Sequence, residues 1–327
     1  MAYSGHFRHS KDDSVPPLPA GNPARQTLSG VLLLITSMWA LSGLDASGKY
    51  LMGVDVGVSL LVVCLVRYGV HMVLAMAVVI PSRGWQALRC QRPKAQVVRG
   101  LSMLAATMLF LKTASYLPLS QATAINFLAP LLVLSVAPWA LKEPLFPSRW
   151  VAAGFGLLGV LVVVRPDAGL DPVGTLFGLM TACALAVQHI SSRRVAVDDS
   201  YTTLIWSGAV GTAVTLLMLP FHWQDLTALP GRLSASGWLV LLGTGFWGCL
   251  GHFLLIQAYR RASASLLAPF VYFQIVSAAI LGWLIWGQFP DLVSWLGIAI
   301  ICGSGITIGL IEWRRNGAAQ TLAAEAS

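Results

Sequence analysis

Long apolar runs separated by short polar punctuation divide this chain. Runs cover about 27–46, 57–80, 97–117, 119–141, 150–165, 174–191, 202–220, 236–258, 264–286 and 292–311. Most are long enough, as helices, to cross roughly 30 Å of hydrocarbon at about 1.5 Å per residue. The pattern predicts an all-α integral membrane protein with ten transmembrane helices. The fifth run is short, and its Gly154, Gly156 and Gly159 suit close packing on a neighbouring helix. Residues 1–26 mix Ser, Pro, Gly, His and charge without apolar periodicity, which predicts a disordered tail and no signal peptide. Residues 312–327 form a second tail.

The runs repeat. Residues 116–166 read as a long apolar helix interrupted by Pro130 and Pro138, a polar break at Lys142, Glu143 and Pro144, and a Gly-rich apolar finish. Residues 259–310 follow the same plan, with the break at 287–291. An offset of 143 to 145 residues pairs Tyr116 with Tyr259, Glu143 with Gln288, Trp150 with Trp295, Gly30 with Gly174, Lys49 with Arg193 and Gly100 with Gly243. The chain therefore divides into a repeat at 27–165 and a second at 174–311, five helices each. Membrane-embedded duplication is the build of many secondary transporters.

Composition agrees. The chain is 56% hydrophobic and 10% charged, against roughly 25% charged for a soluble domain, and its mean hydropathy is +0.73. The net charge of +8 need not imply nucleic acid, because cytoplasmic loops of membrane proteins are enriched in Lys and Arg. With the N-terminus inside, sixteen Lys and Arg fall on cytoplasmic segments, including Arg83, Arg89, Arg92, Lys94 and Arg99 of one loop. Only Lys49, Arg165 and Arg232 fall outside. Both termini are thus expected in the cytoplasm, and five helices per copy make the repeats inverted. The five cysteines show no CxxC or CxH spacing, so no disulfide and no metal site are expected.

These features together resemble the drug/metabolite transporter superfamily, EamA type, over about residues 28–312. The pieces that carry the resemblance are DASGKYL (45–51), Arg67 in the second helix, VVRG (97–100), Glu143, and APFVYFQIVSAAILGWLIWGQFPD (268–291). Within that superfamily the chain is similar to riboflavin and S-adenosylmethionine carriers. The resemblance implies transport of a small organic metabolite across a bacterial inner membrane, through a cavity lined by the first four helices of each copy. In S-adenosylmethionine carriers the stretch matching VYFQIV has an acidic residue where this chain has Gln274. The resemblance therefore favours a neutral aromatic or anionic solute over that sulfonium cation, with a cationic metabolite as the alternative.

Arg67 and His71 lie one helical turn apart near mid-helix. A membrane Arg is costly enough to face a cavity or a partner, so Arg67 reads as pathway-lining, with a structural pair to a carbonyl or to Asp45 as the alternative. Asn126 and Gln274 lie near the helix-breaking Pro130 and Pro269, where broken backbone is tolerated if it lines a cavity. Trp247 and Tyr272 are candidates for stacking on a flat solute. Asp45, His71 and His189 are candidates for gating or proton coupling, with an interfacial Asp45–Lys49 pair at i,i+4 as the plainer reading. Lys112 is read as snorkelling, Glu143 as one half of an ion pair with Lys142. Gln121, Gln188, His252 and Gln257 are read as bonds between helices.

There is no GxxxxGK[ST] to cradle nucleotide phosphates and no HExxH for zinc. No catalytic residue, cofactor or nucleic-acid partner is expected; the partners are a small-molecule substrate and membrane lipid, with a homodimer left open. The rival class, an integral-membrane enzyme acting on lipid head groups, calls for clustered carboxylates or histidines at the membrane face. Here Asp198 and Asp199 stand beside Arg193 and Arg194 without a histidine in that loop.

Overall fold

A chain crosses lipid either as helices, which keep the backbone's hydrogen bonds inside each segment, or as a closed barrel, and the computed structural model takes the helical course. It describes residues 23–129, 132–133, 136, 147–164, 171–195, 197–262, 267, 270–304 and 306–307, with no strand among them. The helices are α1 (Pro23–Met52), α2 (Leu60–Arg83), α3 (Pro93–Tyr116), α4 (Leu119–Asn126), α5 (Pro147–Val164), α6 (Pro172–Arg194), α7 (Ser200–Met218), α8 (Ala235–Tyr259), α9 (Phe273–Trp286) and α10 (Leu292–Ser304). Among the described residues, six helical stretches are long and apolar enough to cross a membrane, those of α1, α2, α3, α6, α7 and α8. Pro130, Pro138, Lys142, Glu143, Pro144, Arg165, Pro269 and the tails at 1–22 and 312–327 lie outside the described residues.

Local chemistry sets the ends. Pro opens α3 and α6, where its missing N–H costs nothing. Asp171 caps α6 by accepting from Val173 N and Gly174 N at 2.8 and 2.9 Å, Asp199 caps α7 through Tyr201 N, and Ser234 caps α8 through Gly237 N. Gly287, at φ 68°, closes α9 in the left-handed conformation that glycine adopts without strain. Within helices, hydroxyls turn back on the preceding turn, as Thr107 does to Met103 O and Thr212 to Gly208 O. Those hydroxyls thereby carry no unsatisfied group into the apolar interior, whereas Thr123 Oγ1 on α4 is buried without a partner among the described residues.

The apolar run of the first helix ends near Ala46, and DASGKYL (45–51) carries the helix on to its end, α1 closing at Met52. The polar residues at its end find partners, so the helix need not stop. Lys49 Nζ donates to Leu117 O at 2.8 Å and to Gln288 Oε1 at 3.4 Å, and lies 5.0 Å from the Trp286 ring.

Packing runs mainly between the two halves. α1 lies against α8, where Ser37 Oγ donates to Gly251 O at 2.7 Å, and α6 lies against α3 in the same antiparallel sense. α2 packs on α7, and α4 on α9. The remaining large interfaces are α2–α8 with α3–α7, and α1–α9 with α4–α6. Exchanging each helix for the one five places on leaves this set of interfaces unchanged. Small residues permit the approach. A Cβ on Gly30 would sit 2.9 Å from Ala262 Cβ beyond α8, and one on Gly174 would sit 2.5 Å from Tyr116 Cβ on α3. α5 and α10 meet through Gly159 and Gly297, each facing the other's carbonyl oxygen.

The two ends of the bundle differ. At one end Leu51, Val58, Val62, Leu229, Leu233 and Leu241 form a buried apolar plug. At the other, where α2, α6 and α8 finish and α3 and α7 begin, lies a cavity.

Candidate functional site

The cavity is half-open, with a volume of ≈ 380 Å³. α2 contributes His71; α3, Arg99 and Met103; α6, Ser192; α7, Thr203, Leu204 and Ser207; α8, His252, Leu255, Ile256 and Tyr259. Val195, Asp198 and Ser200 complete the wall from the α6–α7 connection.

His71 is buried, and its Nε2 lies 3.3 Å from Leu204 O on α7. Room for the ring comes from two glycines. A Cβ on Gly208 would lie 3.1 Å from His71 Cδ2, and one on Gly248 would lie 3.7 Å from Nδ1. The His252 ring meets His71 edge-on, with centroids 5.9 Å apart. Arg99 reaches across the cavity wall. Its Nε donates to Ser192 Oγ at 2.8 Å, and its Nη1 donates to Ser207 Oγ. Asp198 is engaged elsewhere, accepting from Gln91 N at 2.6 Å and Gln96 Nε2 at 2.9 Å. Burial, and after it the Asp198 charge, push the nearby Cys90 thiol up from its usual range.

Below the mouth, toward the plug, a second polar group lies among α1, α2 and α9. Gln274 Nε2 lies 3.5 Å from Asp45 Oδ2, at the long limit of a hydrogen bond. The Arg67 guanidinium lies 5.3 Å from the Tyr68 ring. Nearby, Phe127 stacks on Tyr272 with centroids 4.8 Å apart. Asn126 Oδ1 on α4 is buried with no hydrogen-bond partner among the described residues.

The structure therefore sorts the expected site residues into two layers. His71 borders the cavity, and Asp45 and Gln274 meet deeper, with Arg67 on α2, Asn126 on α4 and Tyr272 at the start of α9. Trp247 instead lies on α8 against Gly43 of α1, in edge contact with Phe246, and His189 is exposed on α6; neither borders the cavity. Sequence reasoning did not single out Arg99 as a site residue, placing it among the cytoplasmic charges and in VVRG (97–100), and it read His252 as a helix-to-helix bond. A signal for Arg99 was present, since it stands two residues inside the apolar run beginning at 97. Among the described residues, no three His, Cys, Asp or Glu side chains converge as a metal-ligand set.

A sequence model of the EamA-like transporter family matches residues 28–165 and again residues 172–310. The chain is 28% identical over 284 residues to a riboflavin transporter of Vibrio cholerae, covering 84% of this chain and 90% of that one. It is 27% identical over 281 residues to an S-adenosylmethionine uptake transporter of Rickettsia bellii, covering 86% and 93%. A solved crystal structure shares the fold with a TM-score of 0.59 at 19% identity, over 89% of this chain and 98% of the other.

Proposed function

The chain belongs to the EamA-like transporter family, and from that premise we propose that it carries a small organic metabolite across the bacterial inner membrane by alternating access. The observation that carries the proposal is the pairing of a half-open cavity, bearing a few polar side chains on an apolar wall, at one end with a buried apolar plug at the other. A carrier at rest between transport steps needs one side open and one side sealed. The exchange of equivalent interfaces between the halves, together with two successive family matches, supports ten transmembrane helices in two inverted repeats. The excess of Lys and Arg supports both termini in the cytoplasm, which makes the cavity face the cytoplasm in this state.

The solute enters past His71 and Arg99 and descends to Asp45, Arg67 and Gln274, with Asn126 hydrogen-bonding its polar edge and Tyr272 flanking its ring. The two named relatives move a neutral flavin and a sulfonium cation. With Gln274 neutral where S-adenosylmethionine carriers have an acidic residue, the interior suits a neutral or anionic aromatic metabolite better than a cation. Uptake of a labelled panel (riboflavin, S-adenosylmethionine and aromatic acids) into cells expressing the chain tests the reading. Saturable, protein-dependent movement of at least one of them is expected. A reporter fusion placing the 221–235 loop in the cytoplasm would overturn the topology and the inverted repeat.

A further inference from the structure

We infer that the cavity mouth is an anion-selective binding site, in which the free edge of the Arg99 guanidinium holds the carboxylate or phosphate of an organic solute; this rests on the carrier reading above.

Arg99 is set in place by neutral groups only. A guanidinium carries five N–H donors, of which Nε–H goes to Ser192 and one Nη1–H to Ser207. Each of those hydroxyls sends its own proton to a backbone carbonyl, Ser192 to Gln188 O and Ser207 to Thr203 O, both at 2.7 Å. The serines are thus committed acceptors that orient the guanidinium and have no proton left for a ligand. Both Nη2 hydrogens and one on Nη1 have no partner among the described residues. Neither does Arg99 meet a carboxylate within ion-pair distance among them. Asp198, the carboxylate on the same wall, is occupied by Gln91 and Gln96 as it ties the α2–α3 and α6–α7 connections together.

A part-buried cation with a fixed orientation, a free donor edge and no counter-ion is arranged for an incoming anion. The rest of the mouth suits the remainder of such a solute. The edge-on His71 and His252 rings close its floor, and Leu255, Ile256 and Met103 supply apolar wall. Carboxylate and phosphate present the same oxygen fork, so the two are separated by experiment.

The test uses matched pairs that differ in charge: indole-3-acetate against indole-3-acetamide, and riboflavin 5′-phosphate against riboflavin. Binding to the purified full-length protein is measured by titration calorimetry, and uptake is measured separately in proteoliposomes. The acid of at least one pair is expected to bind about tenfold or more tightly than its neutral partner, the scale of a hydrogen bond to a charged group. Arg99→Gln should bring the members of that pair level, and Arg99→Lys should keep part of the preference. Whichever pair responds identifies the anion. Equal binding within both pairs in the wild-type protein, a preference that survives Arg99→Gln, or no binding of any probe would overturn the inference. Should Arg99→Gln fail to yield monodisperse protein, the wild-type comparison and Arg99→Lys decide the matter. Preferential binding without uptake would sink the carrier reading and leave this site standing, while uptake of neutral members alone would do the reverse.

Discussion

The two ends of the bundle are built from equivalent helix termini and are held by different forces. At the plug, Leu51, Val58, Leu229, Leu233 and Leu241 exclude water by apolar contact. That contact is non-directional and scales with the area covered. At the cavity end the ties are polar and specific. Arg83 pairs with Asp199, and its guanidinium lies 4.5 Å from the Tyr201 ring. Tyr201 Oη accepts from Arg260 at 3.0 Å and from Gln257. The 144-residue offset sets Leu51 against Val195, one in the plug and the other on the cavity wall. Equivalent positions thus meet a seal at one end and a cavity at the other. The difference teaches that the seal belongs to the conformation as much as to the residue type, and that the polar ties frame the opening without filling it.

Solvent access gives the largest contrast. On a background lacking the five native cysteines, Thr203→Cys should react readily with a membrane-impermeant maleimide in inverted membrane vesicles, and Leu241→Cys should stay protected. Equal labelling of the two would abolish the distinction between open and sealed ends. Stability comes next. Leu241 is fully buried, and Leu241→Ala should cost about 2–5 kcal/mol through lost burial and the cavity left behind, read from denaturant unfolding in detergent. Tyr201→Phe keeps the ring against Arg83 and removes only the hydroxyl. Its expected cost is about 0.5–1.5 kcal/mol for each of the two hydrogen bonds lost, a smaller change in the same assay. A larger loss at Tyr201 than at Leu241 would mean that the polar ties, and not the plug, hold the bundle.

How much of this was legible beforehand follows from what each residue reports locally. The apolar runs located the helices because membrane crossing constrains length and composition directly. The offset that pairs Gly30 with Gly174 also proved physical, since both stand at close crossings of α1 and α6 with the partner half. Asp45 and Gln274 were each suspected, but their meeting across α1 and α9 depends on helix rotation that one sequence does not encode. Arg99 was obscured because a cation at a helix entrance looks the same whether it marks a cytoplasmic loop or faces a cavity. His252 became visible as a site residue only when α8 was seen to place it against His71. The polar end of α1 was legible in DASGKYL (45–51), but the partners of Lys49, on α9 and on the α3–α4 and α9–α10 connections, were not.

The smallest effect tests the plug end at the exposed Lys49–Gln288 contact. Lys49 reaches Gln288 at 3.4 Å in an exposed setting, where the first repeat carries an acidic residue at the equivalent position, Glu143. Gln288→Glu converts a weak neutral contact into an ion pair that joins α1 to the end of α9. Exposed pairs contribute only about 0.2–1 kcal/mol, so the closed plug should gain at most about a fivefold advantage in its opening equilibrium. Uptake should slow by no more than that. The slowing should also fade as salt rises toward 1 M, where the screening length falls to about 3 Å. Adding Lys49→Met should erase the effect, and the double-mutant cycle isolates the pair from other consequences of either change. Salt-independent slowing, or slowing that persists without Lys49, would place the restraint elsewhere and leave the plug as a purely apolar seal.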